Sequence, residues 1–142
     1  PSALHQIFES YKPISSSEFS NKIALLPSGY VDYLEKKYSV LNEALHLDVP
    51  IRINDFKAIE AAILKNNAFS ELDQLAILAD KYYPKSMLAE YELGLMYEKQ
   101  EDYKKAMKRY QNASQMQEIG ALTKTMMLEK YDLMLSKNAP KK

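Results

Sequence analysis

Apolar residues recur along most of this chain at intervals of three and four, the period of helices with one buried face. Tyr30, Leu34, Tyr38, Leu41 and Leu45 form one such stripe, broadened by Val31 and Val40. The spacing predicts a helix with Ser28 as its cap and Gly29 in its first turn. It should end near His46 to Asp48, ahead of Pro50. A second helix is predicted from about Ile53 to Lys65, where Phe56, Ile59, Ile63 and Leu64 share a face and Asn66-Asn67 supplies a stop. A third runs from about Ser70 to Tyr83, with Leu72, Leu75, Ala76 and Ala79 inward, and Pro84 ends it. Upstream, ALHQIFESY at residues 3–11 puts Leu4, Ile7, Phe8 and Tyr11 on one stripe. A helix that short is marginal alone and must dock. Between these, KPISSSEFSNKIALLPS carries two prolines and five serines. It predicts a linker without a long helix, pinned by Ile23, Leu25 and Leu26.

The densest pattern lies at Ala89 to Ala113, AEYELGLMYEKQEDYKKAMKRYQNA. Leu93-Gly94 is followed by Tyr97, Tyr103, Ala106, Tyr110 and Ala113. This spacing resembles a tetratricopeptide (TPR) helix–turn–helix, L-G-x-x-Y followed by A-x-x-x-F/Y-x-x-A. Gly94 would let the second helix approach the first closely, and Tyr97 would stack over the turn. Ala106 and Ala113 would keep the second helix slim, and Asp102 is placed to cap it. One departure is Glu90, where a bulky residue is usual. Shifting the motif back by the TPR period of 34 residues puts Leu93 on Ile59, Tyr97 on Ile63 and Ala113 on Ala79. Gly94 falls on Glu60 and Ala106 on Leu72, so this earlier copy is degenerate. The forward shift puts Leu93 on Met127 and Tyr97 on Tyr131. The reading is one good repeat (87–120), one degenerate repeat (53–86) and a closing half repeat from Ala121 to about Ser136.

Composition adds bounds. The 142 residues are 46% hydrophobic and 27% charged, ordinary for a globular domain. Lysine plus arginine and aspartate plus glutamate each total 19, so no net field draws the chain to nucleic acid or an acidic membrane. There are no cysteines. No apolar run reaches the roughly 18 residues of a membrane span. The first residue is Pro1, so the chain reads as a fragment whose targeting signals would lie upstream.

Enzyme chemistry finds little support. The three glycines, Gly29, Gly94 and Gly120, stand too far apart for a phosphate-cradling loop, and there is no G-x-S-x-G. His5 and His46 are 41 residues apart, short of the converging ligands a metal needs. His46 falls at a helix C-terminus, where an imidazolium suits the dipole. Glu90, Glu92, Glu98, Glu101 and Asp102 are interleaved with lysines and read as a solvated face with local ion pairs. The run KKAMKRY looks basic and aromatic, but its tyrosine is a repeat-core position. No catalytic, cofactor-binding or metal residue is assigned, and no cofactor is expected. The methionines cluster in the C-terminal half and read as packing fillers, the alternative being a sticky contact face on the last helix. The candidate site is the concave wall formed by the first helix of each pair. Its residues would be Lys57, Lys65, Tyr91, Leu95, Glu98 and Lys99, with Ala61, Leu64 and Leu88 beside them. Chaperone-tail-binding members of the repeat class hold a carboxylate with paired lysines and asparagines. The asparagine expected four residues after Lys57 is Ala61 here.

A second resemblance covers most of the chain. ALHQIFESYKP near the start is similar to the last hydrolase helix of bacterial enterochelin-esterase/esterase-D-like α/β-hydrolases. YLEKKYSVLNEALHLDVPI resembles that family's connector, with Leu47 at its usual glycine, and YYPKS precedes the repeat. The resemblance implies that the serine, acid and histidine of a hydrolase all lie upstream, and that this chain is the appended helical part.

The expected fold is therefore all-α: a TPR-like antiparallel helix-pair solenoid of about six helices after a short N-terminal helix and linker. Residues 1–28 would be helix and linker, 29–136 the helical domain, and 137–142 a disordered tail. The expected role is a non-catalytic interaction or accessory domain of an esterase, with a protein or peptide partner that includes its own upstream hydrolase domain. Neither nucleic acid nor a membrane span is expected. The alternatives are a structural or dimerisation domain without ligand and a free-standing peptide-binding adaptor. Replacing Gly94 by leucine should overpack the helix pair and cost about 1–3 kcal/mol. A melting temperature left unchanged by Gly94→Leu would overturn the repeat assignment.

Overall fold

The computed structural model describes residues 12–139; the predicted helix over residues 3–11 and the end of the predicted tail lie outside them. The described residues are helical and form no strand. They fall into two compact units that divide between Glu71 and Leu72.

The first unit starts with the serine-rich segment. Ser15 accepts a hydrogen bond from the Glu18 amide at 3.0 Å and so starts a helical turn, Ser16–Glu18. That turn runs into a π-helical segment, Phe19–Ile23. The segment holds no long helix, as expected, and Ile23 pins it by full burial. Leu25 does not share that role: it is 74% exposed, because it follows the π-helical segment on the outside of the turn. Helix α1, Tyr30–Leu45, buries Tyr30, Val31, Leu34, Tyr38 and Leu41. Leu45 lies largely outside the buried stripe. His46 ends the helix in the left-handed region at φ 52°. Helix α2, Ile53–Lys65, matches its predicted span and buries Phe56, Ile59, Ala62 and Ile63. Asn66 closes it by donating its side-chain amide to the Ala62 carbonyl at 2.9 Å.

The start of α1 differs from expectation. Ser28 does not cap it. Gly29 is the capping residue at φ 77°, a backbone conformation that glycine adopts without strain. The orphan amides are answered by the Glu71 carboxylate. It accepts from Gly29 N at 3.0 Å, from Tyr30 N at 2.9 Å and, more weakly, from Val31 N at 3.4 Å. A carboxylate at a helix N-terminus is favoured both by the amides it accepts from and by the helix dipole.

A second carboxylate is buried between α1 and α2. Asp55 accepts the Tyr38 hydroxyl proton at 2.7 Å and the Ile14 amide at 3.0 Å. The Tyr38 oxygen in turn accepts from the Arg52 backbone at 3.0 Å and from the Arg52 guanidinium at 3.1 Å. Glu18 reaches back likewise. It accepts from the Tyr33 hydroxyl, and its Oε1 lies 3.2 Å from the ammonium of the buried Lys37. The segment over residues 12–28 is thus bonded into the first unit rather than trailing from it.

The second unit contains the helices of the predicted good repeat. Helix α3, Glu71–Tyr82, contributes its first residue to the first unit and the rest to the second. Helix α4 is Leu88–Lys99, α5 is Tyr103–Ser114 and α6 is Lys124–Asn138. α5 packs against both α4 and α6. Gly94 stands where a side chain would collide: an added Cβ would lie 2.6 Å from the Tyr110 ring. Asp102 caps α5 as expected, accepting from Lys105 N at 3.3 Å. Tyr97 marks the turn: its carbonyl accepts from Asp102 N at 2.9 Å, and the Lys105 ammonium lies 5.5 Å from its ring. One fully buried core cluster is Met87, Ala106, Tyr110, Ala113, Met127 and Met134. A short bridge from Lys85–Met87 to Gln117 ties the entrance of α4 to the exit of α5. Thr123 caps α6, which continues through Asn138, two residues past its expected end. Its exposed apolar residues are Leu128, Leu133 and Leu135, whereas Met127 and Met134 are buried.

Two outcomes follow for the first unit. Glu71→Ala removes the only side chain bonded to the leading amides of α1 among the described residues and should destabilise by about 1–2 kcal/mol. Urea unfolding, with hydrogen exchange at Gly29 and Tyr30, checks this. Burial, reinforced by the Asp55 carboxylate and opposed by Arg52, pushes the Tyr38 phenol up to about 12. The folded state therefore holds this proton more tightly than the unfolded chain. The contribution is full below the ordinary tyrosine value of 10.0 and is lost as pH rises from there through about 12. The stability gap between wild type and Tyr38→Phe should shrink over that window in urea titrations.

Candidate functional site

The six predicted site residues occupy matching registers of two helices. Lys57, Ala61, Leu64 and Lys65 on α2 have the same spacing as Tyr91, Leu95, Glu98 and Lys99 on α4. The structure treats the two stripes differently. On α2, Lys57, Ala61 and Lys65 are exposed and Leu64 is half-buried. This stripe belongs to the first unit and the α4 stripe to the second.

On α4 the stripe is largely covered by its own unit. Leu95 is 4% exposed and Leu88 is buried as well, so neither presents a surface to a ligand. Tyr91 packs at the edge of the core, its ring centroid 6.4 Å from that of Tyr110 and tilted by 45°. Glu98 accepts the Tyr110 hydroxyl proton at 2.7 Å. Its Oε1 also lies 3.5 Å from the ammonium of Lys130 on α6. That ammonium sits 5.3 Å from the Tyr110 centroid and 6.0 Å from the Tyr91 centroid. Only Lys99 at the end of the stripe is exposed. At the other end of α4, Glu90 pairs with Arg109 of α5 at 3.3 Å.

Thus the structure brings Tyr91 and Glu98 together, and it adds two residues not assigned to the site from sequence. Tyr110 read as a core position, which it is, but its hydroxyl also fixes Glu98. Lys130 carried one usable signal: a shift of 34 residues places it on Met96, a buried thioether. An ammonium where the preceding repeat has a core methionine implies a polar receptor on the facing helix.

The acidic residues of the good repeat do not gather into a metal site: among the described residues no group of three or more metal-ligating side chains comes together. Glu90, Glu98 and Asp102 form ion pairs, that of Asp102 with Lys105 at 3.7 Å. Glu92, by contrast, does not lie on the expected solvated face: it is 1% exposed, because it falls on the side of α4 that is turned into the protein. His46 is an exposed helix-end residue. No described helix is long and apolar enough to cross a membrane.

Comparison with protein-family models finds no match, and comparison with curated proteins finds none either. Among solved structures, the chain is similar to an uncharacterised protein from Capnocytophaga ochracea DSM 7271, with a TM-score of 0.85 and 30% identity. The likeness covers 94% of this chain and 37% of that one, so the chain spans well under half the length of its relative.

Proposed function

We propose that this chain is a non-catalytic, TPR-like accessory module of a longer protein, and that the longer protein is an α/β-hydrolase of the esterase kind. The observation that carries the modular reading is the likeness of nearly the whole chain to one segment of a much longer one. The TPR-like reading draws on the α4–α5 pair, where Gly94 admits the Tyr110 ring and Asp102 caps the second helix. The hydrolase parent draws on the similarity of residues 3–13, 33–51 and 82–86 to the family's last helix and connector. A protein partner would meet the module at the exposed α2 stripe of Lys57, Ala61 and Lys65, since the corresponding stripe on α4 is engaged with its own unit.

A second reading, a structural module without a ligand, draws on that same engagement: Leu95 is buried and Glu98 is held by Tyr110 and Lys130.

Labelling with a fluorophosphonate, which reacts with activated serines, tests the catalytic division of labour. The encoded longer protein should be labelled and should hydrolyse a p-nitrophenyl ester, whereas the isolated 142-residue chain should do neither. A labelled isolated chain overturns the non-catalytic reading. An unlabelled, inactive longer protein overturns the hydrolase parent.

A further inference from the structure

We infer that Tyr91, Tyr110 and Glu98 form a cage for an alkylammonium ion, and that its resident in this fold is the chain's own Lys130. The inference is independent of any hydrolase parent and of any partner at α2.

Three observations converge. The first is composition and geometry. Two tyrosine rings, 6.4 Å apart between centroids, lie within 5.3 Å and 6.0 Å of one ammonium nitrogen, and a carboxylate oxygen lies 3.5 Å from it. Aromatic faces plus a carboxylate suit an organic ammonium better than a small, strongly hydrated metal cation, which holds its water too firmly to exchange it for rings. The second is preorganisation. Tyr110 is fully buried, its ring is lodged against Gly94, and its hydroxyl holds Glu98 at 2.7 Å. The carboxylate is therefore fixed before the ammonium arrives, and the side chains of Glu98 and Lys130 are only 13% and 25% exposed. The third is register. The position one repeat earlier is the buried Met96, so packing alone would be served by an apolar residue. The chain instead places a cation there, opposite a site built to receive it.

The consequence concerns the α4 face. α6 packs on α5. Its ammonium enters a receptor built by Tyr91 and Glu98 of α4 with Tyr110 of α5, so the last helix also acts as a tethered ligand of the helix pair before it. An external lysine-like group can reach the cage only where Lys130 has left it.

The test uses the full chain and removes only the resident. Lys130→Ala deletes three carbons and the ammonium, a missing volume that propylammonium matches. Lys130→Ala should melt about 3–6 °C below wild type. Propylammonium chloride should then raise its melting temperature by about 2–4 °C over the same concentration of sodium chloride, with no such difference in wild type. Adding Tyr91→Leu to Lys130→Ala should abolish that rescue. Lys130→Met keeps an apolar side chain at this position and covers the case in which Lys130→Ala does not fold. It should melt below wild type because Glu98 and the rings lose their cation. Equal melting of Lys130→Ala in the two salts, or a Lys130→Met variant as stable as wild type, would overturn the cage.

Discussion

The spacing of the second unit depends on the contact between the bare α-carbon of Gly94 and the ring of Tyr110. With the Cβ position only 2.6 Å from the ring, any side chain at 94 would push α5 outward or turn the ring away. Much hangs on where that ring lies. One helical turn beyond Gly94, Glu98 receives the tyrosine hydroxyl, and the ring lies tilted against that of Tyr91. The carboxylate so placed meets Lys130 on α6. One absent side chain thereby sets the α4–α5 distance, and that distance places the polar contact that α6 adds to its packing on α5. Core burial of Met87, Ala106, Ala113 and Met127 supplies the non-directional part of the stability, and the tyrosine gives it a register.

The first unit reaches order by a different route. It has no glycine–aromatic contact of this kind among its described residues. Two carboxylates distant in sequence, Glu71 and Asp55, answer backbone donors that the local chain leaves open. Asp55 is 1% exposed, and a carboxylate so buried is tolerated because a phenol and an amide donate to it while Arg52 stands nearby. The same two donors join α1 and the serine-rich segment to α2. Removing a donor would leave a buried charge underserved, so the cost would fall on the whole cluster rather than on one bond.

The helices were legible in the sequence because their stripes follow the helical period without interruption; α2 lies where Phe56, Ile59 and Ile63 place it. The α4–α5 turn was legible because its determinants, Gly94 and Asp102, are local. The cap of α1 was not. Ser28 is the residue a local reading selects, yet Glu71, more than forty residues away, wins by offering a charged acceptor to two successive amides. Lys37 was hidden for the same reason: its burial makes sense only beside Glu18, which the π-helical segment brings back onto α1. The site residues divide along that line as well. Register located both stripes, but it carried no information on what would cover each of them.

That difference in coverage separates α2 from α4, the helices that the 34-residue shift aligns. Position by position, α2 carries Glu60 where α4 has Gly94, Ala61 where it has Leu95, and Leu64 where it has Glu98. α4 has spent its stripe on internal contacts: an apolar residue goes into the core, and a carboxylate and a tyrosine go to Lys130. α2 lacks both the close-approach glycine and the acidic receptor, and its stripe keeps two lysines in solvent. The substitutions that distinguish α2 from α4 thus leave α2 with Lys57, Ala61 and Lys65 exposed, where α4 buries Leu95 and engages Glu98.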